Sequence, residues 1–254
     1  LHAQGKEEDY FDENRKEQLL LSALLHDLGK MVIPTKVMNK ATRLEDKLTD
    51  IEKRFELFAL KYKVALLEGN ITEEVYQDKV SRLEEILELV QKVNNSGFLP
   101  DETEEMLRKA FELSYKCEET EIPYFTEEEK EALLIKRGTL TEKERVIMES
   151  HVDVTEKILS KVHFNANFSD APRFAVEHHE CLNGMGYPKK IKGEDLCLES
   201  RILAVADICD ALLATDRPYK KPLPREKAFD ILYDMANNGR IDGKIVQYLD
   251  ACLV

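Results

Sequence analysis

LTDIEKRFELFALKYKVALLEGNITEEVYQDKVSRLEEILELV, residues 48–90, is the stretch whose reading decides the fold class. Leu48, Ile51, Phe55, Phe58, Tyr62 and Ala65 step by three and four with charges between them, which is the spacing of one helix face. Gly69-Asn70 breaks the run, Thr72 stands where an N-cap belongs, and Val75, Val80, Leu83, Leu87 and Val90 resume it. Two such runs around a short break predict an antiparallel helical hairpin, which Asn94-Asn95-Ser96-Gly97 terminates. The aromatic positions Phe55, Phe58 and Tyr62 read as hairpin packing.

Outward from the hairpin the chain keeps the same period. Glu17 to Leu28 predicts an apolar helix ending near Gly29. Thr126 with Glu129 and Thr141 with Glu144 have the spacing of capping boxes, and the second launches the helix that contains His151. RILAVADICDALLA, from Arg201, reads as a buried helix, and the dense turn signal Asn183-Gly184-Met185-Gly186-Tyr187-Pro188 as a loop. Glycine and proline are scarce and strand-like alternation is rare, so the expected class is all-α. Acidic runs such as Glu127-Glu128-Glu129 read as solvated faces.

Composition narrows the function. A net charge of −13 argues against a polymeric nucleic-acid partner, which needs a basic stripe. No apolar run reaches the ~18–20 residues of a membrane span, and no signal peptide is readable. Five cysteines, an odd number without a CxxC pair, suit a reducing cytoplasm. The chain starts at Leu1 rather than Met, which reads as a piece of a longer protein with room upstream for a sensor or anchor.

The chemistry concentrates in the histidines. His26-Asp27 lies in an otherwise apolar helix, where a charged carboxylate is costly unless paired or bound to metal. Taken alone, a satisfied pair near a helix end is the favoured reading, because a two-residue motif is weak. His178-His179-Glu180 precedes the glycine-rich loop; adjacent histidines on a helix diverge by about 100°, so both serve one site only if it holds several ions or lies between them. Asp207 and Asp210 share one face of an apolar helix. Imidazoles and carboxylates without thiolate suit iron, manganese, nickel or zinc rather than a structural cysteine site. His163 reads as a partly buried structural histidine, and Cys181 has no catalytic reading.

HDLGK (26–30), the segment GTLTEKERVIMESHVDVT with His151, HHECLNGMGYP (178–188), AVADICDAL (204–212) and DRPYKK (216–221) together resemble the HD-GYP family, in that family's order. The resemblance implies an HD-superfamily helical bundle, with residues 1–43 and 137–254 as the catalytic domain and residues 44–136 as a long helical-hairpin insertion. It implies two or three divalent metal ions, iron or manganese, held by His26, Asp27, His151, His178, His179 and Asp207, with Asp27 bridging. Lys30 would face the scissile phosphate, Arg217 and Lys220 would bind substrate phosphates, and Gly184, Gly186, Tyr187 and Pro188 would form the signature loop beside the site. The implied activity is hydrolysis of cyclic di-GMP, or a related cyclic dinucleotide, to pGpG or GMP in bacterial signalling.

Two departures stand out. The family supplies a further ligand histidine upstream, whereas here only His2 precedes His26, in a polar setting that reads as a loop. The insertion is also long, which suits regulation, a homodimer or plain helical decoration. Two other functions fit parts of the sequence. A mononucleotide phosphohydrolase of the wider superfamily is disfavoured by the Gly-Tyr-Pro loop and DRPYKK. A catalytically inactive signalling module is favoured by the absent upstream ligand and disfavoured by the ligands present.

Overall fold

A hydroxyl or carboxylate side chain stands at several of the helix starts. The computed structural model describes residues 11–117, 120–214 and 223–253. In chain order it has α1 (Glu13–Leu25), a 3-10 turn at Leu28–Val32, α2 (Thr35–Met38), α3 (Lys47–Leu67), α4 (Glu73–Asn94) and α5 (Asp101–Phe111). Strands β1 (Ser114–Cys117) and β2 (Thr120–Pro123) follow, then α6 (Glu127–Leu133), α7 (Glu142–Glu149), α8 (His151–Leu159), α9 (Ala171–Glu177), α10 (Leu198–Leu213), α11 (Arg225–Asn237) and α12 (Gly243–Cys252). The class is all-α, as expected. No described helix is long and apolar enough to cross a membrane.

The chain divides into two compact units, one made of residues up to 34 with those from 146 onward, the other of Thr35–Arg145. In the second, Thr72 caps α4 by accepting from the Val75 amide at 3.3 Å. Ile51, Phe55, Phe58 and Tyr62 of α3 bury against Leu83, Ile86, Val90 and Val93 of α4, so the predicted hairpin forms with its predicted α3 face. On α4 the buried face is shifted: Ile86 and Val93 join Leu83 and Val90, Val80 and Leu87 are half-buried, and Val75 in the first turn is exposed. Leu107, Phe111, Tyr124, Phe125 and Leu133 close this core, and Tyr115 stacks on Phe58 with centroids 5.1 Å apart.

Three sequence expectations need correction here. The antiparallel pair β1–β2, with Tyr115 opposite Ile122, was not foreseen, because four-residue strands are too short to show a period of two against a helical background. The helix started by the Thr141–Glu144 box stops at Glu149, and His151 opens a new helix after Ser150. Glu129 is buried rather than solvated: it completes the Thr126 capping box while taking a bidentate pair from Arg54 at 2.8 and 2.9 Å. Arg54 also reaches the Tyr124 carbonyl at 2.9 Å. Removing one partner of such a pair strands the other in the core, so Arg54→Ala should cost about 2–4 kcal/mol in chemical denaturation, with Arg54→Lys recovering less than half. An unchanged midpoint would mean that the pair is solvated.

In the first unit, α1 packs on α9, α8 packs on the 3-10 turn and on α9, and α10 packs on α9, α11 and α12. Val205, Cys209, Phe229, Leu232, Ile241 and Val246 form a core among α10, α11 and α12. His163 lies beyond the end of α8 and is exposed, which corrects its reading as a partly buried residue: the chain leaves the helix before it.

Candidate metal centre

Helix ends deliver three of the histidines. His26 is the C-cap of α1, His151 the first residue of α8 and His178 the C-cap of α9. Each ring turns its Nδ1 to the carbonyl three residues earlier, on Ala23, Met148 and Ala175, all at 2.7 Å. A carbonyl can only accept, so Nδ1 carries the proton and Nε2 is the nitrogen left for a ligand.

The Nε2 atoms of His26 and His151 meet carboxylates. Asp27 directs Oδ2 to His26 Nε2 at 3.2 Å and Oδ1 to His151 Nε2 at 3.5 Å, so its two oxygens serve different histidines. Asp207 Oδ1 is 3.6 Å from His26 Nε2. Donor atoms of His151, His178 and His179 lie within 4.8 Å of one another, and so do those of His26, Asp27 and His178. His26, Asp27, His151, His178, His179 and Asp207 are therefore brought together. Asp210, on the same helix as Asp207, is exposed and is not.

Buried polar atoms normally find partners, and each one left alone costs about 1–3 kcal/mol. Asp27 Oδ1, His151 Nε2 and His178 Nε2 are buried without a hydrogen-bond partner among the described residues. Lone pairs orphaned together in one small volume fit a cation. The two overlapping triads, joined by His178, fit more than one, and the imidazole–carboxylate set suits borderline divalent ions.

Electrostatics agree. Burial pushes the histidines down: His178 to about 4, His179 to about 3 with help from His178, and His151 in the same direction. These rings are neutral at pH 7 and able to ligate. His26 is pushed up to about 10, first by Asp207 and then by Asp27, so a proton there answers the same carboxylates that a divalent ion would. Burial raises Asp27, but His26 and Lys30 outweigh it and hold the carboxylate below its ordinary value. Asp207 behaves likewise under His26 and His179. Lys30 is bonded to Asp27 Oδ2 at 2.6 Å.

Several residues without a sequence-stated role hold the cluster in place. The Gly29 amide donates to Thr155 Oγ1 at 2.9 Å, and that hydroxyl donates to the His26 carbonyl at 3.2 Å. A Cβ at Gly29 would stand 1.9 Å from the His151 carbonyl oxygen, so only glycine lets the turn approach α8. Arg15–Glu199 at 2.6 Å ties α1 to α10, and Ser200 donating to Glu177 at 2.5 Å ties α10 to α9. Glu180, buried, accepts from the Lys189 and Ile191 amides at 2.7 and 2.9 Å and pins the far side of the signature loop. The signal for Glu180 was its charge beside two histidines; Thr155 had none.

In that loop Gly184 takes φ +72°, and a Cβ at Gly186 would fall 2.3 Å from the Cys181 amide nitrogen. The Tyr187–Pro188 bond is cis. Tyr187 stacks on His179 with centroids 4.7 Å apart, and burial, then Glu149, keeps its phenol protonated well above the ordinary value. His2, Arg217 and Lys220 lie outside the described residues.

An HD-domain family model matches residues 70–245, more than half of the chain. The match begins after HDLGK, which the geometry joins to the same cluster. The chain is similar to the 3′3′-cGAMP-specific phosphodiesterase 3 of Vibrio cholerae, 42% identical over 40% of this chain and 21% of the relative. It is also similar to a cyclic di-GMP phosphodiesterase response regulator of Xanthomonas campestris, 40% identical over 44% of this chain and 28% of the relative. A cyclic di-GMP phosphodiesterase of Thermotoga maritima is 38% identical over 38% of this chain and 26% of its own length. The matched stretch thus spans about a fifth to a quarter of the curated relatives.

Proposed function

Since this chain belongs to the HD-domain family, in its HD-GYP group, we propose that it is a metal-dependent phosphodiesterase that hydrolyses a cyclic dinucleotide, cyclic di-GMP or its close relative 3′3′-cGAMP, to a linear product. The observation that carries this reading is the set of orphaned lone pairs on Asp27, His151 and His178 inside two overlapping triads.

His26, Asp27, His151, His178, His179 and Asp207 would hold two or three divalent ions, iron or manganese as the resemblance implies. Bound there, the ions supply Lewis-acid stabilisation to a phosphoryl group that gathers negative charge. The protein's own part is positional. Asp27 presents one oxygen to each side of the cluster, and the three Nδ1 bonds keep the imidazoles from rotating out of reach. Tyr187 covers the His179 face, and its phenol, held protonated, can donate but not compete as an anion. Arg217 and Lys220 would bind the substrate phosphates, as the resemblance of DRPYKK implies. The free thiols Cys181, Cys197, Cys209 and Cys252 support a cytoplasmic setting, and residues 44–136 are read as the insertion.

Lys30 is placed to oppose charge on a transferring phosphoryl group, as a fixed cation acts in an oxyanion site. Lys30→Ala should lower the turnover number by ~100-fold or more and leave metal content unchanged. Equal loss of metal would assign the lysine to holding Asp27 instead. The function itself is tested by elemental analysis of purified protein, followed by product chromatography with cyclic di-GMP and with 3′3′-cGAMP. More than one transition-metal ion per chain and hydrolysis of at least one substrate are expected. Metal-loaded protein that binds but never cleaves either compound would make it a signalling module.

A further inference from the structure

Helix α3 is apolar on two opposite sides. Ile51, Phe55, Phe58, Tyr62 and Ala65 bury one side in the core of their unit. Leu57, Leu60, Val64 and Leu67, on the arc across the helix, are 50%, 64%, 51% and 77% exposed. A surface helix ordinarily turns polar residues outward there, and a contiguous apolar stripe marks a binding surface. The spacing of the stripe is that of alternating a and d positions of a heptad, the seam of a two-stranded coiled coil. Its flanks carry alternating charge. Glu56 and Lys63 occupy g positions along one border, and Lys61 and Glu68 occupy e positions along the other.

We propose that this stripe is a homodimer interface, in which α3 pairs in parallel and in register with α3 of a second copy. Charge selects both the occupant and the direction, because e and g residues meet across such a seam. In the parallel pair Glu56 faces the partner's Lys61, and Lys63 faces the partner's Glu68, with each contact repeated by the two-fold axis. The antiparallel pair that keeps the same apolar layers sets Lys61 against the partner's Lys61 and Lys63 against the partner's Lys63. Like charges there destabilise it. The border residues are available for this. Lys61 and Lys63 lie over the rings of Tyr115 and Tyr76, at 5.3 and 4.8 Å, and neither they nor Glu56 has an ion pair among the described residues. Among the described residues Glu68 accepts only from Asn70, at 3.1 Å.

The stripe alone is smaller than the ~800 Å² per partner of a standard stable interface, so association is to be read across a wide concentration range. Sedimentation velocity of the full chain from ~1 to 300 µM should show a reversible dimer. Leu60→Lys should weaken it by at least ~100-fold without lowering the melting temperature, because the position is exposed. Should that variant melt early, Val64→Lys on the next turn gives the same reading. Lys61→Glu should weaken the dimer by about tenfold, and the double variant Glu56→Lys/Lys61→Glu should restore it, which a purely structural change would not. With Cys252 replaced by serine, Leu67→Cys should crosslink to its own copy on mild oxidation, since only the parallel arrangement brings those positions together. A wild-type chain monomeric throughout, a dimer untouched by both lysine substitutions, or no gain in crosslinking from Leu67→Cys overturns the proposal.

Discussion

Asp27→Ala is expected to strip the purified protein of most of its transition metal, a larger loss than removal of any single histidine. Among the described residues Asp27 is the one whose two side-chain oxygens face different imidazoles, His26 through Oδ2 and His151 through Oδ1. A histidine variant takes one donor from the cluster, whereas the aspartate variant takes a donor from each side and a negative charge as well. It also leaves His26 and Lys30 as neighbouring cations without the carboxylate that offsets them. Loss of even an outer partner typically costs 10- to 100-fold in metal affinity, so a bridging donor should cost at least ~100-fold. Asp27→Asn, which keeps the shape and loses the charge, should fall between. Elemental analysis after gel filtration measures all three proteins. Wild-type metal levels in Asp27→Ala would remove the bridging role.

Gly29→Ala should be the most damaging glycine-to-alanine change among the described residues. The added carbon meets the His151 carbonyl oxygen at 1.9 Å, its carbon at 2.8 Å and the Thr155 nitrogen at 2.9 Å, all backbone atoms that no rotamer change can move. The turn and α8 must separate, which breaks the Gly29–Thr155–His26 chain of hydrogen bonds and draws Asp27 away from His151. Overpacking against rigid backbone costs about 3 kcal/mol, a fall of roughly 6–12 °C in melting temperature for a chain of this size. Metal content should drop with it. Gly97→Ala is the control, since nothing lies within 4 Å of its added carbon and its melting temperature should stay within about 2 °C. If the two alanine variants melted together, the close approach at Gly29 would be dispensable.

What could be read in advance followed the range of the interaction. The α3–α4 hairpin and both capping boxes are local, since periodicity and a hydroxyl three residues before a glutamate state their own partners. His151 was legible only through resemblance, because nothing near it in sequence says that Asp27 will be its neighbour. The break at Ser150, the burial of Glu129 under Arg54 and the need for glycine at position 29 are all set by segments far away along the chain. Glu129 shows the limit well. Its two neighbours are solvated glutamates of identical chemistry, and only the arrival of Arg54 separates it from them.

The two helix C-termini that carry His26 and His178 have a further consequence, for the charge that the protein's own residues present at the cluster. A helix C-terminus bears the negative end of its backbone dipoles, and here two of them converge with Asp27 and Asp207 on one spot. Protonated His26 and Lys30 offset the two carboxylates, so the cluster rests near neutrality in a chain whose net charge is −13. On the proposed function, a dianionic nucleotide gains little from these side chains alone, and its attraction to the site would come with the divalent charge that they would hold.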